Sequence, residues 1–398
     1  MKIAIITASS RPIPATCGGA TQTMMTHLID VNEELKENEF FIFSYFEKDA
    51  YIESKKYKRS KFFYYTPRKY FDAVFSFSFR LLRKLTSERI FVRENFTKWC
   101  ASIINKNDFD VVILEGNCFQ VEYMRSLIHT KIILHMHIDR LNKDLKSAKR
   151  MIKVSDGIFA ISEFCEKRML EVDHSAINKI FVVKNTIDTN LFTYKGSIVK
   201  RSIREKLGVK NSQKVISYCG RIVPDKGVLE LVQAVKLLND PNLFLLIIGS
   251  SVYKGSKKKS YCIKVEEEGK KLIGGAYFTG YVSQSDLPSF MSGSDIAIVP
   301  SLCQEAAGNV TIEALSCEVP VIATSQGGIP EYADASACCV IPYDKDFVEN
   351  LAHNIHEILY NQELYIKLKS NARSVATQYD KHNYYKNFCG AVKKVVQQ

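Results

Sequence analysis

The stretch 301–331, which reads SLCQEAAGNVTIEALSCEVPVIATSQGGIPE, constrains the fold of this chain more than any other part of the sequence. The apolar run 296–300 leads into it and is typical of a buried strand. A loop carrying Glu305 follows, and from Asn309 the apolar residues recur at helical spacing. A second apolar run at 319–323 predicts another strand, so the pattern is strand, loop, helix and strand.

This pattern predicts a ligand site at the carboxyl edge of a sheet, where open α/β sheets bind their ligands. Backbone amides at a helix start, with Gly308 or Asn309 as the N-cap, favour an anionic group. Ionised carboxylates such as Glu305 and Glu313 only accept hydrogen bonds, so they suit hydroxyl groups. A ligand with both phosphate and many hydroxyls is a nucleotide-sugar.

The spacing of Glu305 and Glu313, within the segments GNVTIEA, PVIAT and GGIPE, resembles the paired glutamates of family 4 glycosyltransferases. These are retaining enzymes with the GT-B fold. The resemblance implies that Glu305 meets the donor sugar and that Glu313 meets the ribose hydroxyls. Glu318 departs from the family pattern, which usually has glycine there, and we expect its side chain to be exposed at the helix end.

Composition sets the broad class of protein. The chain has 398 residues, enough for two or three domains, with 46% hydrophobic and 25% charged residues. Its formal charge of +12 favours an anionic membrane surface or phosphorylated ligands. It contains no apolar run of the roughly 20 residues that span a bilayer, and its start, MKIAIIT, is typical of a strand rather than a signal peptide. The 11 cysteines lack zinc-like spacing and are predicted to be buried thiols in a reducing cytosol.

Gly18 and Gly19 separate the first predicted strand from a helix. Glycines let the backbone approach a phosphate, and the following helix start favours its charge. A plain strand-to-helix turn is the alternative. In GT-B enzymes this loop faces the donor diphosphate, so the resemblance implies donor binding.

The segment 55–85 is basic and rich in aromatic residues. A cationic, aromatic and amphipathic stretch can lie on an anionic membrane surface. Equally, it can be a strand and helix whose aromatic rings fill the core of the first domain. No RNA-recognition motif accompanies it, so nucleic acid is not an expected partner.

Two histidines, His135 and His137, end the predicted strand 131–137 and share one face of it. A metal would need a third ligand, and the sequence shows none nearby. The pair Asp108 and Asp110 precedes a strand and is interpreted as strand-entry polarity. The segment LHMHIDRLN resembles the strand-end histidine motif of the family, with His137 as the active-site histidine and His135 as the fallback.

The segment GRIVPDKG at 220–227 carries two cations, Arg221 and Lys226. Arginine offers a planar fork and lysine a point charge, which together fit a diphosphate. This segment resembles the donor-phosphate motif of the family. The segment AYFTGY at 276–281 resembles the strand beside the nucleotide base, with Phe278 at a usual position.

The resemblance as a whole implies two doubly wound Rossmann-like domains that face a cleft, the GT-B fold. Residues 1–192 are expected to form the acceptor-binding domain and residues 193–378 the nucleotide-sugar-binding domain. The polar, basic stretch 193–204 is expected to be an interdomain linker. A final helix, within 379–398, is expected to cross back to the first domain.

The expected function is retaining transfer of a hexose or N-acetylhexosamine from a nucleotide diphosphate-sugar, with UDP-sugar preferred, to a saccharide or lipid-linked acceptor of bacterial surface polysaccharide. No metal or other cofactor is expected, and the protein is expected in the cytoplasm or at the cytoplasmic face of the inner membrane. The implied catalytic residues are His137, Glu305, Arg221 and Lys226. The implied donor-binding residues are Gly18, Gly19, Gly220, Arg221, Lys226, Phe278, Glu305, Ala307, Gly308, Asn309, Val310 and Glu313.

Three other functions fit parts of the pattern. A nucleotide-sugar epimerase of the same fold would convert a donor without an acceptor. A catalytically silent accessory subunit would lose the charged donor residues, which this chain retains. A nicotinamide-dependent dehydrogenase would carry Gly-x-Gly-x-x-Gly after its first strand, and this sequence does not.

Overall fold

The computed structural model describes residues 1–7, 11–67, 94–250 and 260–398. The chain divides into two units. The first unit consists of Met1–Asn185 together with Lys381–Gln398, and the second unit is Thr186–Asp380. The second unit therefore starts before the boundary predicted at residue 192, and the C-terminal helix belongs to the first unit.

The first unit is built on a seven-stranded sheet of order β3-β2-β1-β4-β5-β6-β7, in which neighbouring strands are parallel. Its strands are β1 (Lys2–Ile6), β2 (Glu39–Tyr45), β3 (Ser60–Tyr65), β4 (Val111–Glu115), β5 (Ile132–His135), β6 (Gly157–Ala160) and β7 (Ile180–Val182). Its described helices are α1 (Ala20–Leu35), α2 (Lys48–Ser54), α3 (Glu94–Ile104), α4 (Val121–Arg125), α5 (Ala148–Val154), α6 (Glu163–Leu170) and, at the C-terminus, α14 (Lys381–Gln397).

The second unit is built on a six-stranded parallel sheet of order β10-β9-β8-β11-β12-β13. Its strands are β8 (Lys214–Cys219), β9 (Leu243–Ile248), β10 (Ala276–Phe278), β11 (Ile296–Val299), β12 (Val321–Thr324) and β13 (Cys338–Ile341). Its described helices are α7 (Gly196–Leu207), α8 (Val228–Leu238), α9 (Ser260–Gly269), α10 (Leu287–Ser292), α11 (Asn309–Ser316), α12 (Phe347–Tyr360) and α13 (Gln362–Thr377).

The strand sequences explain why both sheets are parallel and central. β4, β9, β11 and β12 are near-continuous apolar runs, and every residue in them is buried. Strands that are buried on both faces have near-continuous apolar sequences, because crossover helices cover the two sides of a parallel sheet. Each unit is thus a doubly wound α/β layer structure, as the strand and helix alternation predicted.

Helix α14 joins the first unit through one apolar face. Phe388 and Val392 lie in the same buried cluster as residues of α1 and of the first sheet. The hydroxyl of Tyr385 donates to the side-chain oxygen of Asn32 over 2.8 Å, and the ammonium of Lys131 donates to the carbonyl of Val396 over 2.9 Å. The last helix therefore braces the N-terminal sheet, as predicted.

The predicted linker 193–204 is wrong, because most of it forms α7. The long-range partner that fixes this helix is Asp295, whose buried carboxylate receives ion pairs from Lys200 and Arg204. Ile203 and Leu207 pack on a buried cluster under the sheet. Two of the basic residues that suggested an exposed linker, Lys200 and Arg204, are therefore the partners of one buried acid.

The basic, aromatic segment 55–85 lies only partly within the described residues. Its aromatic run forms the edge strand β3, where Phe63 stacks on Phe43 with ring centroids 5.1 Å apart and Phe62 packs on the first-unit core. These aromatic rings therefore pack in the core of the first unit, which was one of the two interpretations of the segment. The remainder of the segment, 68–85, lies outside the described residues. Among the described helices, none combines the length and apolarity that a membrane crossing requires.

Glu318 lies just after α11 with a φ of 61°, in the left-handed region where glycine carries the least strain. This backbone geometry explains why glycine is usual at the position in the family that the sequence resembles. The side chain is half-buried rather than exposed. The expected exposure of Glu318 is therefore wrong, although its position at the helix end is as predicted.

Candidate active site

Three neighbouring strands of the second unit, β8, β11 and β12, end at one edge of the sheet. β8 leads into the loop 220–227, β11 into the loop 300–308, and β12 into the loop 325–328. Because parallel strands present their carboxyl ends at the same edge, these three loops lie side by side. They carry six of the twelve residues that the sequence predicted for donor binding, namely Gly220, Arg221, Lys226, Glu305, Ala307 and Gly308.

Lys226 and Glu305 come together at this edge. The Lys226 ammonium forms an ion pair with the Glu305 carboxylate, and the two side chains are 19% and 22% exposed. The hydroxyl of Ser301 donates to the same carboxylate oxygen, Oε1, over 2.6 Å. The two charged residues are 79 positions apart in the chain, so the sheet topology brings them together.

Backbone hydrogen bonds hold the three loops against one another. The Asp225 carbonyl accepts from the N–H groups of Leu302 and Cys303, over 3.0 and 3.3 Å. The carbonyl of Glu305 accepts from the N–H of Gly328 over 2.7 Å. The loop that carries Glu305 is thus fixed on one side by the Lys226 loop and on the other by the Gly-Gly loop.

Gly227 shows how closely these loops approach. It takes a φ of 66°, and a Cβ at this position would lie 1.9 Å from the carbonyl oxygen of Pro300. A side chain here would clash with the backbone of the neighbouring loop. The glycine directly after Lys226 therefore permits the contact between Lys226 and Glu305.

Arg221 lies on the same loop as Lys226 but is exposed. Its backbone carbonyl accepts a hydrogen bond from the Tyr218 hydroxyl over 2.7 Å, and the N–H of Gly220 before it donates to the Ile248 carbonyl over 2.9 Å. Within the described part of the chain its guanidinium forms no ion pair. The structure thus places Arg221 at the predicted edge without joining it to Glu305.

Helix α11 begins at this edge with Gly308 as its N-cap, one of the two caps predicted. Its first turn carries no acidic residue, and Ala307, Asn309 and Val310 are half-buried around it. The first N–H groups of a helix have no intrahelical acceptors and favour an anion. The start of α11 therefore offers the amides that the sequence predicted.

Glu313 lies one turn into α11, near Cys219 of β8. Burial, followed by the charge of Glu313, raises the pKa of the Cys219 thiol. Burial raises the pKa of the Glu313 carboxyl from 4.5 to about 8. None of the residues that the structure describes donates a hydrogen bond to it. A carboxyl in such a position has unused capacity to accept hydrogen bonds from ligand hydroxyls.

Glu313→Gln is expected to stabilise the protein above neutral pH. The pKa of Glu313 is higher in the folded state than its ordinary value of 4.5, so the native protein binds a proton that the unfolded chain releases. Stability then falls as pH rises from about 4.5 to about 8. Because glutamine does not titrate, the variant should gain about 2 to 4 kcal/mol at alkaline pH and little at acidic pH.

Thermal melts of the two proteins across this pH range provide the measurement. Glu318→Gln, at the end of the same helix, is the matched control. A stability difference that is the same at every pH would contradict the assignment of the raised pKa to Glu313.

A cavity of about 360 Å³ lies at the ends of β9 and β10. Its lining includes Phe278, Thr279 and Gly280 together with Ile222 and Gly249. Phe278 lines this cavity and also packs on the second-unit core. The cavity is large enough to receive an aromatic ring.

Gly18 and Gly19 directly precede α1 in the first unit, as predicted. Gly19 is the N-cap, with a φ of 113°, and Gly18 has a φ of 65°. Both conformations are in the region that favours glycine. The loop therefore has the backbone geometry expected of a turn that exposes amides at a helix start.

His135 and His137 meet a third side chain that the sequence analysis missed, Glu115 at the end of β4. Nε2 of His137 lies 2.6 Å from Glu115 Oε2, and Nδ1 of His135 lies 3.1 Å from the same oxygen. Burial alone raises the pKa of Glu115, but the two histidines offset it and lower the pKa to about 2. Burial, followed by the charge of His135, lowers the pKa of His137 below its ordinary value, although Glu115 opposes this shift.

Glu115, His135 and His137 are also the described residues that could offer three ligand atoms to a metal, since these atoms lie within 4.8 Å of one another. Two observations favour a hydrogen-bonded cluster instead. The 2.6 Å separation is that of a hydrogen bond. The other ring nitrogens, His135 Nε2 and His137 Nδ1, are buried and have no partner among the described residues, whereas a metal-bound histidine donates its second N–H.

Only strand register could have revealed Glu115. In the sequence it closes the apolar run FDVVILE, and nothing nearby marks it as functional. In the sheet, Glu115 pairs directly with His135 across β4 and β5. Ser301 was missed for a similar reason, because its contact with Glu305 depends on the shape of the loop after β11.

Residues 199–375 match a family model described as "Glycosyl transferases group 1". This range includes β8 to β13 and the loops with Lys226, Glu305 and Glu313. The match therefore covers the part of the chain in which the predicted donor residues meet.

Curated proteins and solved structures extend the similarity. The chain is 23% identical to the putative glycosyltransferase YtcC of Bacillus subtilis over 385 residues, covering 94% of this chain and 87% of that protein. It is 28% identical to the lipopolysaccharide 1,2-N-acetylglucosaminetransferase of Salmonella typhimurium over 207 residues, about half of each chain (51% and 51%). The crystal structure of Anabaena Alr3699/HepE in complex with UDP-glucose shares the fold, with a TM-score of 0.72 at 18% identity over 99% of both chains.

Proposed function

We propose that this chain transfers a hexose or N-acetylhexosamine from a nucleotide diphosphate-sugar, with retention of configuration, because residues 199–375 match the family model described as "Glycosyl transferases group 1". The observation that carries the proposal is the ion pair of Lys226 and Glu305 at the carboxyl edge of the second-unit sheet. A cation and a carboxylate held together there match a ligand that has both a diphosphate and sugar hydroxyls.

Each charged residue has one role in the proposed reaction. Lys226 and Arg221 bind the diphosphate, with the first N–H groups of α11 beside them. As the bond at the anomeric carbon breaks, negative charge moves onto the diphosphate and the sugar becomes oxocarbenium-like. The acceptor hydroxyl then forms the new bond from the face that the diphosphate leaves, and its proton passes to the diphosphate. Fixed cations stabilise this leaving group more than the ground state, and in many enzymes such preorganised charge contributes more to the rate than any other effect.

The hydroxyl-binding residues orient the donor. Glu305 accepts hydrogen bonds from the sugar hydroxyls, and Glu313 accepts them from the ribose. The base enters the cavity beside Phe278. The roles that the family resemblance implies for Gly18, Gly19 and His137 of the first unit remain predictions.

The donor is a UDP-sugar, and the acceptor is a saccharide or lipid-linked saccharide of bacterial surface polysaccharide. UDP-glucose bound to the similar HepE supports the choice of nucleotide. The activity named for the Salmonella relative supports the class of acceptor. The proposal also places the reaction at the cytoplasmic face of the inner membrane, with no metal required.

A panel of UDP-glucose, UDP-galactose, UDP-N-acetylglucosamine and GDP-mannose tests the proposal in one experiment. A donor at about 100 times its Kd adds about 2.7 kcal/mol of stability. For a unit of this size, that should raise Tm by about 5–10 °C. The same donor should release its nucleoside diphosphate when acceptors are supplied, and EDTA should leave the rate unchanged.

The outcomes separate the alternatives. Failure of every nucleotide-sugar to raise Tm or to release a nucleoside diphosphate would reject the proposal. Conversion of a donor into another nucleotide-sugar without acceptor would identify an epimerase instead. Loss of activity in EDTA, restored by a divalent cation, would contradict the metal-independent part alone.

A further inference from the structure

The first unit buries a carboxylate that the proposed donor chemistry does not use. Glu115 ends β4, and its side chain is fully buried. An ionised carboxylate at such a depth requires partners, because desolvation of an unpaired charge is costly. The partners are the imidazoles of His135 and His137, whose ring centroids lie 4.2 Å apart.

The geometry defines which nitrogen of His137 carries the proton. An ionised carboxylate has no proton to donate, so the 2.6 Å contact requires an N–H at His137 Nε2. A neutral imidazole has a single N–H, and Nδ1 is therefore left with a lone pair. This atom is buried, and no described residue of the chain donates to it.

His135 is held by the same carboxylate but in a different setting. Its Nδ1 lies 3.3 Å from Oε1 and 3.1 Å from Oε2 of Glu115. Its ring is 1% exposed and lies between Phe159 and Phe388, with centroids 5.7 and 5.8 Å away. His135 is therefore enclosed by the core, whereas His137 lies two residues beyond the end of β5 and is the more exposed of the two, at 7%.

We propose that Glu115 is a positioning residue, which fixes His137 in the tautomer protonated at Nε2 and leaves Nδ1 to accept a hydrogen bond from a substrate hydroxyl. That the hydroxyl belongs to the donor sugar or the acceptor saccharide rests on the proposed function. The assignment of the tautomer depends only on contacts within the first unit. A buried acceptor nitrogen favours an O–H group and disfavours a ligand that presents only acceptors.

The tautomer can be measured on the whole protein without any sugar. Protein labelled with ¹⁵N-histidine is examined by long-range ¹H–¹⁵N correlation at neutral pH, with the His137→Asn spectrum to assign the signal. The expected result is a protonated Nε2 and an unprotonated Nδ1 on His137. A protonated Nδ1, or a fully protonated ring, would overturn the proposal without any variant of Glu115.

Glu115→Gln tests the cause. A glutamine amide can donate as well as accept a hydrogen bond. His137 should therefore lose its preference for the tautomer protonated at Nε2 and populate both tautomers. With the donor found by the panel above, kcat should fall about 10- to 100-fold, the range for residues that orient a functional histidine. KM for the donor should change much less, and Glu115→Asp should restore part of kcat.

Glu122→Gln is the matched control, since Glu122 is a half-buried acid of the same unit that pairs with Arg150 over 3.0 Å. It should leave the tautomer and kcat unchanged. An unchanged His137 tautomer in folded Glu115→Gln protein would overturn the proposal. So would stoichiometric binding of Zn²⁺ that shifts both histidine signals, because the cluster would then be a metal site. If the tautomer is as expected but no donor is transferred, the proposed function fails and the role of Glu115 in fixing His137 stands.

Discussion

Lys226→Ala is expected to lower turnover of the donor sugar by about 10²- to 10³-fold, the usual effect of removing one group that stabilises charge in a transition state. The variant removes a cation that the structure holds at the carboxyl edge of the second-unit sheet and leaves the Glu305 carboxylate without its ion pair. Charge that develops on the departing diphosphate would then lack its nearest fixed partner. Because this charge is greater in the transition state than in the bound donor, kcat should fall more than the affinity for the donor.

Steady-state kinetics with the donor found by the panel, together with a thermal melt, provide the measurement. Lys236→Ala is the matched control, because Lys236 is an exposed lysine of the same unit that pairs with Glu268 over 3.1 Å. It removes the same charge and also breaks an ion pair, so its kcat should equal that of the wild type. Equal turnover in folded Lys226→Ala protein would reject the assignment of Lys226 to the diphosphate.

The placement of Lys226 and Glu305 at one edge of the sheet could be predicted from the sequence because it depends on strand order and not on side-chain packing. Each residue follows an apolar run that can only be a buried strand. Parallel order puts the following loops at one edge, and glycine at position 227 permits their close approach. Arg221 shows the limit of this reasoning, since its loop lies at the predicted edge but its side chain is exposed and, among the described residues, forms no ion pair with Glu305.

The errors arose where a distant residue determines local structure. The stretch 193–204 is polar and basic, and from its own composition it fits a linker. It is helical because Asp295 supplies a buried carboxylate for Lys200 and Arg204. Glu115 likewise gains its role only from the register of β4 and β5. No local pattern in the sequence encodes either pairing.

Gly327 tests whether the shape of the Glu305 loop, and not only its charge, matters for activity. Gly327 takes a φ of 63°, and a Cβ there would lie 2.2 Å from the carbonyl oxygen of Glu305 and 2.7 Å from its nitrogen. Gly327→Ala should therefore displace the loop that carries Glu305. A misplacement of about 1 Å at a reacting group can cost about 10²-fold in rate, and we expect a loss of kcat of that order.

The positive φ itself also costs an alanine about 1–2 kcal/mol, and this strain must be separated from the clash. Gly208, the exposed C-cap of α7, supplies the control: its φ is 74°, and a Cβ there would meet nothing within 4 Å. Both Gly208→Ala and Gly327→Ala should therefore lower Tm, with the larger decrease for Gly327→Ala because of its clash, while only Gly327→Ala loses kcat. If both variants retain wild-type kcat, the donor site tolerates movement of Glu305. The position of Glu305 beside Lys226 would then not be needed to orient the sugar.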